Sequence, residues 1–288
     1  MGDVLAGIHA TWEFESDSVL IRFERGIRTP KLFTALRERR VPHEALESVT
    51  LTPGKRGTVV LHAVPRPGAD PLMEAAAGQL KDGCDPYRLV LPAERETLAE
   101  YYADELRALL GPDADEPSER YLVAAPELPQ SFKAYDGKAS FDGRQVSFRW
   151  FWTGASSAKW KAGDQTFPLA SLCGVEWRSP EVFDGYLRLL RRDAGAAAPQ
   201  ADQDPAAVVF GLGYGPVHES LPFAAAVLQA IRGSAGAPVP VPVATVAAGR
   251  RDPADIAERI RHLGELHRAG LVTDDEFSAK KAELLAEL

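Results

Sequence analysis

The alternation of apolar and polar residues occurs twice along the chain. In residues 10–23, and again in 137–150, two short alternating runs flank a turn, which is typical of a β-hairpin. Equivalent positions share one offset: Phe14 with Phe141, Val19 with Val146, Arg22 with Arg149. The pattern therefore predicts the same antiparallel hairpin at the start of two repeats.

Further strands and one helix are predicted after each hairpin. Strand-like runs lie at 58–62, 87–91, 186–190 and 207–210. Each repeat then ends in apolar residues at helical spacing, from Leu98 to Leu110 and from Leu221 to Ile231, before a glycine that typically ends a helix. Each repeat thus consists of antiparallel strands followed by one helix.

Two segments rich in Gly, Pro and Ala separate the last two strands of each repeat. They cover residues 65–86 and 193–205, and both end at an Asp-Pro step, Asp85-Pro86 and Asp204-Pro205. This composition predicts loops.

A strongly bent sheet leaves an open end that an amphipathic helix can cover. This arrangement resembles the pleckstrin-homology-like (PH-like) split β-barrel, and its tandem occurrence is similar to an actinobacterial domain of unknown function with two PH-like copies. The resemblance implies a mainly β fold with α: two PH-like split β-barrels, 5–112 and 131–233, each closed by a C-terminal helix. Residues 113–130 are expected to form an acidic linker between them.

The C-terminal part of the chain predicts a linker and a helical hairpin. Residues 234–251 are rich in Pro, Ala and Val, which favours an extended spacer. In 252–288, Asp252-Pro253 is a typical helix start, and the chain turns after Gly270. A second helix begins at the capping-box pattern 273–276.

Residues 252–288 resemble the SHOCT (short C-terminal) domain. The motif comprises Gly270, Thr273, Glu276-Phe277, Lys280-Lys281 and Leu284-Leu285 at fixed spacing. The resemblance implies interaction or oligomerisation, and a hairpin this small rarely buries enough surface to be stable alone. We therefore expect its apolar residues to dock on a neighbouring domain or on another copy of the chain. These residues are Ile256, Ile260, Leu263, Leu266, Leu271, Phe277, Leu284 and Leu285.

Composition and charge restrict the class of partner. The chain has 288 residues, of which 45% are hydrophobic and 26% charged, as in an ordinary globular protein of about two domains. Its formal net charge of −8 argues against nucleic acid as a partner. Half of that charge lies in 113–130, which holds one positive and five negative groups, so the two repeats are nearly neutral.

A basic segment in the first repeat is a candidate binding patch. Residues 22–40 carry seven cations and two acids, a net charge of +5: Arg22, Arg25, Arg28, Lys31, Arg37, Arg39 and Arg40 against Glu24 and Glu38. Such a cluster could attract anionic lipid. The alternative is a solvated strand and loop whose arginines pair with nearby acids.

The equivalent segment of the second repeat is rich in tryptophan. Residues 149–161 include Trp150, Phe151, Trp152 and Trp160. Alternation predicts that Trp150 and Trp152 share one face and that Phe151 lies on the other. Exposed tryptophan flanked by Lys159 and Lys161 suits a membrane interface or a protein hot spot. The alternative is that these aromatic side chains fill the core or the seam between the repeats.

Catalytic and targeting motifs are missing from the sequence. It contains no Walker lysine motif, no HExxH, no GxSxG and no paired CxxC, and its two cysteines, Cys84 and Cys173, cannot form a disulfide framework. We therefore expect no enzymatic activity, no cofactor and no metal. The chain also lacks a signal-peptide pattern and a transmembrane run, so a cytoplasmic location is expected.

Two functions are compatible with these features. The first is a non-enzymatic scaffold with protein partners, including self-association through the C-terminal hairpin. The alternative is a peripheral membrane protein that binds anionic lipid through segments 22–40 and 149–161.

Overall fold

The structure is a computed structural model that describes residues 3–181, 184–193, 195, 198–211, 217–235 and 278. The chain divides into two compact units, Met1–Ala237 and Pro238–Leu288. Both repeats lie in the first unit. The second contains the predicted hairpin, whose eight apolar residues from Ile256 to Leu285 lie outside the described residues.

The first repeat forms two antiparallel sheets. The first has the strand order β1-β2-β3-β4: β1 (Asp3–Ala6), β2 (Ala10–Phe14), β3 (Ser18–Phe23) and β4 (Glu38–Pro42). The second has the order β5-β6-β7: β5 (Leu46–Pro53), β6 (Thr58–Pro65) and β7 (Arg88–Pro92). Alternation explains these strands, because Ala10 and Trp12 of β2 are buried whereas Thr11 and Glu13 face the opposite side.

Three helices accompany these sheets. They are α1 (Lys31–Leu36), α2 (Pro71–Ala76) and α3 (Glu96–Ala108). Single 3₁₀ turns occur at His43–Ala45, Asp82–Cys84 and Ala93–Arg95.

The second repeat has the same order of strands. Its first sheet is β11-β10-β9-β8, from β8 (Gln130–Lys133), β9 (Gly137–Phe141), β10 (Gln145–Trp150) and β11 (Gln165–Pro168). Its second sheet is β12-β13-β14, from β12 (Leu172–Arg178), β13 (Tyr186–Arg191) and β14 (Ala207–Val209). The helices are α4 (Ser157–Ala162) and α5 (Ser220–Ala235), with 3₁₀ turns at Leu169–Ser171 and Val217–Glu219.

The predicted hairpins, strands and terminal helices are confirmed. Phe14 lies opposite Val19 in the β2–β3 pair, and Phe141 lies opposite Val146 in the β9–β10 pair. The later predicted strands are β6, β7, β13 and β14, and the predicted helices are α3 and α5. The fold is therefore mainly β with a few helices. Within the described residues, none of the four sheets closes on itself into a barrel.

Equivalent hydrogen bonds join the two sheets of each repeat. The amide of Ile8 donates to the carbonyl of Val90 at 2.7 Å, and the amide of Tyr135 donates to the carbonyl of Val209 at 3.1 Å. In both repeats the turn between the first two strands therefore meets the last strand.

The Asp-Pro steps of the two repeats form the same local structure. Asp85 accepts a hydrogen bond from the amide of Tyr87 at 2.9 Å, and Asp204 accepts one from the amide of Ala206 at 2.8 Å. Each aspartate thus fixes a turn immediately before the last strand.

The C-terminal helices pack their apolar side chains against both sheets. In the first repeat the ring of Tyr102 on α3 stacks on Phe14 with a centroid distance of 4.2 Å. In the second, Phe223 of α5 meets Phe132 edge to face at 5.2 Å, and the indole Nε1 of Trp177 donates to Ser220 Oγ at 2.9 Å.

Helix α2 lies inside the segment 65–86, which the composition predicted to be a loop. Asp70 caps it by accepting from the amide of Leu72, and Pro71 occupies its first turn. The same carboxylate accepts from the Arg39 guanidinium at 2.7 Å and from the Tyr87 hydroxyl at 2.6 Å. All three side chains are buried. Arg39 therefore does not belong to an exposed basic patch, because it is an internal cation of the first repeat.

The buried contacts with Asp70 shift the pKa values of Arg39 and Tyr87. Burial, the largest single effect, lowers the pKa of Arg39, but the charges of and hydrogen bonds to Asp70 and Tyr87 together outweigh it, so that the pKa is raised. Burial raises the pKa of the Tyr87 phenol well above its usual value. Both shifts keep Arg39 charged and Tyr87 protonated, as the hydrogen bonds to Asp70 require.

Helix α2 joins the repeats because it packs on α5 and β12 of the second repeat. Next to it, the Gln79 side chain donates to the carbonyl of Trp177 and accepts from the amide of Ser179, at 2.8 and 3.0 Å. On α5, the Arg232 guanidinium donates to the carbonyl of Gly68 at 3.1 Å and pairs with Glu74 at 3.1 Å. The contact thus combines an apolar centre with polar bonds at its edge.

The acidic connector 113–130 packs against both repeats. The amides of Leu122 and Val123 donate to the carbonyl of Ala69, and the amide of Ala125 donates to Gln229 Oε1 of α5 at 2.6 Å. Val123 is buried. The connector therefore adds to the contact between the repeats.

We predict that Asp70→Asn lowers the free energy of unfolding by about 3–5 kcal/mol, because Arg39 is then left as a buried cation without an anion. Asparagine can still accept from Leu72, so the cap of α2 is retained. Chemical denaturation followed by circular dichroism measures the change.

The matched control is Glu13→Gln, which breaks the exposed pair of Glu13 with Arg22 at 2.5 Å. Such pairs contribute about 0–1 kcal/mol. Equal effects of the two substitutions would show that the Asp70 cluster does not stabilise the fold.

Candidate functional site

The basic segment 22–40 is divided between internal ion pairs and exposed cations. Arg22 pairs with Glu13 and, at 3.7 Å, with Glu38, and Arg40 pairs with Glu15. With Arg39 buried against Asp70, three of the seven predicted cations are engaged within the protein. The other four, Arg25, Arg28, Lys31 and Arg37, are exposed and form no ion pair with a described residue.

The loop after β3 presents an apolar residue among these free cations. Ile27 is fully exposed, between Arg25 and Arg28. The amide of Glu24 donates to the carbonyl of His9 at 2.9 Å, which anchors the start of the loop, and the amide of Thr29 donates to the carbonyl of Gly26 at 3.1 Å, which closes a turn within it. We call residues 24–29 the basic loop. It presents an apolar tip flanked by positive charge.

The Trp-rich segment has a different arrangement from the predicted one. Trp150 is buried at the end of β10, and its Nε1 donates to the carbonyl of Gly163 at 2.8 Å. Trp152 is 49% exposed and meets Trp160 edge to face at 4.9 Å. The predicted shared face of Trp150 and Trp152 is wrong, because the strand ends at Trp150 and the alternation of side chains ends with it. Phe151 is half-buried.

Lys159 was expected to flank an exposed tryptophan, but it is buried. Its Nζ lies 2.5 Å from Asp136 Oδ2 and 5.0 Å from the centroid of the Trp150 ring. The other carboxylate oxygen of Asp136 accepts from the amide of Val209 at 3.0 Å. Lys159 therefore stabilises the interior of the second repeat and cannot contact a lipid headgroup.

Burial also determines the ionisation of this pair. It raises the pKa of Asp136 and lowers the pKa of Lys159, and in each case the partner opposes the shift. Asp136 occupies the position of His9 in the first repeat, since both carbonyls accept from the loop after the third strand. The two repeats thus share a backbone but have different buried polar groups.

Sequence reasoning missed both buried clusters. Arg39 and Asp70 are 31 positions apart, and Asp136 and Lys159 are 23 apart. Such spacing gives no periodic pattern, although Asp70-Pro71 has the form of a helix start.

A shallow groove of about 270 Å³ lies on the outer face of β8, β9 and β10. Its exposed lining is more apolar than polar, with serine and glutamine side chains beside Pro129 and Phe141, and Asp142 adds a negative charge. The lining residues are Pro129, Gln130, Ser131, Ser140, Phe141, Asp142, Gln145 and Ser147.

The part of the chain that the structure describes has no membrane-spanning helix and no cluster of metal ligands. No helix there is long and apolar enough to cross a bilayer, and no three His, Cys, Asp or Glu side chains converge as metal ligands. Cys84 and Cys173 are free thiols.

We predict that Lys159→Met lowers the free energy of unfolding by about 3–5 kcal/mol, because Asp136 then lacks its cation. Combining it with Asp136→Asn should restore most of the loss, since the pair becomes neutral and the amide oxygen can still accept from Val209. Denaturation midpoints of the single and double variants test this. A double variant no more stable than the single one would show that the charges are not coupled.

Comparison with known families agrees with the repeat. The C-terminal residues 258–285 match the model described as Short C-terminal domain (SHOCT). No curated protein matches the chain. Segments 12–107 and 139–228 match the model described as Domain of unknown function (DUF4429), and they lie in the first and second repeats. Because these segments cover more than half of the chain, the protein belongs to the DUF4429 family.

Proposed function

We propose that the protein is a non-enzymatic interaction scaffold, in which two PH-like modules form one body and the C-terminal hairpin 252–288 mediates oligomerisation or docking. The observation that carries this proposal is the packing of α2 on α5, which makes one compact unit of two repeats ahead of a short C-terminal domain.

The strand order supports the PH-like part of the proposal. Each repeat has a four-stranded sheet, then a three-stranded sheet, then one helix. The bond between Ile8 and Val90, and its equivalent between Tyr135 and Val209, holds the two sheets together at one edge. Two sheets joined at an edge and covered by a helix are what a split barrel requires.

The buried ionisable groups support a structural role. Asp70 is shared by Arg39, Tyr87 and the amide of Leu72, and Asp136 is shared by Lys159 and the amide of Val209. A catalytic acid or base needs a free position toward a substrate. The bonds of both carboxylates are instead directed at the protein itself.

We predict that deletion of residues 250–288 lowers the number of chains per particle, obtained from the molar mass in light scattering divided by the mass of one chain, because the apolar stripe of the hairpin is then missing. A matched pair of full-length variants separates this effect from truncation. Leu263→Asp with Leu266→Asp should act like the deletion, whereas Arg261→Ala with His262→Ala should leave the mass unchanged. An unchanged number of chains per particle after deletion would contradict oligomerisation through this segment.

A second candidate function is binding to anionic lipid. The exposed Ile27 between Arg25 and Arg28 favours it, because an apolar tip with flanking cations suits a lipid interface. The half-exposed Trp152 gives the second repeat an aromatic contact of the same kind. Among the seven cations of segment 22–40, four lack an ion partner among the described residues and are available for this contact.

Co-sedimentation with vesicles that contain phosphatidylserine tests this second function. Each cation near the surface contributes about 1 kcal/mol, so Arg25→Ala with Arg28→Ala should weaken binding roughly 30-fold at low salt. Arg22→Ala with Arg40→Ala is the control, since these residues already pair with Glu13 and Glu15. No binding of the unaltered protein at low salt would rule this function out.

A further inference from the structure

The C-terminal helices of the two repeats differ in how they are covered. Residues 220–227, the first half of α5, are all buried, and this helix packs on α2 of the first repeat as well as on strands of its own repeat. The equivalent helix α3 has no such cover from the other repeat within the described residues. Leu98, Tyr101 and Leu109 are 43%, 54% and 51% exposed.

These exposed residues form one stripe along α3 and its C-terminal end. Leu98, Tyr101, Glu105 and Leu109 are spaced by three, four and four positions, which places them on one side of a helix. The buried side of α3 carries Ala99, Tyr102, Ala103 and Leu106. The stripe is therefore a second apolar side of the helix, and we call it the α3 stripe.

Negative charge surrounds the α3 stripe. The negative charge of Glu105 raises the pKa of the Tyr101 phenol. Burial raises the pKa of Tyr102, and the charge of Asp3 raises the pKa values of both tyrosines further. Glu94 precedes the helix, and neither Glu94 nor Glu105 forms an ion pair with a described residue. The stripe is thus an apolar surface with unneutralised acids.

The basic loop has the complementary chemistry. Ile27 is fully exposed, and Arg25 and Arg28 lack acidic partners within the described part of the chain. An apolar tip with two free cations matches an apolar stripe with two free acids in both hydrophobicity and charge. The same combination already occurs where α2 meets α5, since the Arg232–Glu74 pair borders that apolar contact.

We propose that a second copy of this chain covers the α3 stripe, with its basic loop placed so that Ile27 packs between Leu98 and Tyr101. In this arrangement Arg25 and Arg28 pair with Glu94 and Glu105 of the other copy. The contact goes beyond the proposed scaffold function, because it lies in the first repeat and does not involve residues 252–288. The contact joins the basic loop of one copy to the α3 stripe of another. Two copies can therefore make it twice in a dimer, or many copies can make it in succession in a filament.

A charge exchange in the full-length protein tests this contact. Variant A carries Arg25→Glu and Arg28→Glu, and variant B carries Glu94→Lys and Glu105→Lys. Each variant alone presents like charges on both surfaces, so its self-association should weaken at least tenfold in sedimentation velocity at low salt. An equimolar mixture presents opposite charges again and should recover the association of the unaltered protein.

The C-terminal hairpin is identical in every sample, so association through that segment cannot produce the recovery. Ile27→Asp should weaken association with the α3 stripe, whether that stripe is unaltered or carries the substitutions of variant B. Circular dichroism checks that each variant is folded. A mixture that stays as weakly associated as A and B alone would overturn the proposal. Vesicle binding that is lost in A and kept in B, with self-association equal in all samples, would also overturn it and assign the basic loop to a membrane.

Discussion

The Asp70 carboxylate joins three parts of the first repeat that are distant in sequence. It binds Arg39 on β4, Tyr87 just before β7, and the amide of Leu72 at the start of α2. A buried carboxylate needs a cation and several hydrogen-bond donors, because an unpaired charge in the interior is strongly unfavourable. The position of α2 depends on this cluster, and the contact between the repeats depends on α2.

The two repeats keep one backbone design while their buried polar groups differ. The hydrogen bonds of Ile8 and Tyr135 to the last strand are equivalent, and so are the turns fixed by Asp85 and Asp204. The interior is stabilised in one repeat by Arg39 with Asp70 and in the other by Lys159 with Asp136. Each repeat thus satisfies its buried carboxylate with its own cation, as a buried polar network requires.

The sequence predicted what depends on local periodicity and missed what depends on distant partners. The hairpins, the later strands and helices α3 and α5 follow from spacings of two or three to four residues. Helix α2 was hidden in a Gly/Pro/Ala-rich segment, and the burial of Arg39 and Lys159 depends on acids more than 20 positions away. The positive charge of the basic loop could be predicted from its composition. The full exposure of Ile27 could not, because it depends on the turn at Gly26–Thr29.

If α2 holds the repeats together as one body, they must unfold together. Differential scanning calorimetry of the full-length protein measures this most directly, because it compares the heat absorbed with the steepness of the transition. One body predicts a single transition for both repeats, with equal calorimetric and van't Hoff enthalpies. Two separate transitions, each with a fraction of the total enthalpy, would contradict it and show that the repeats are independent domains.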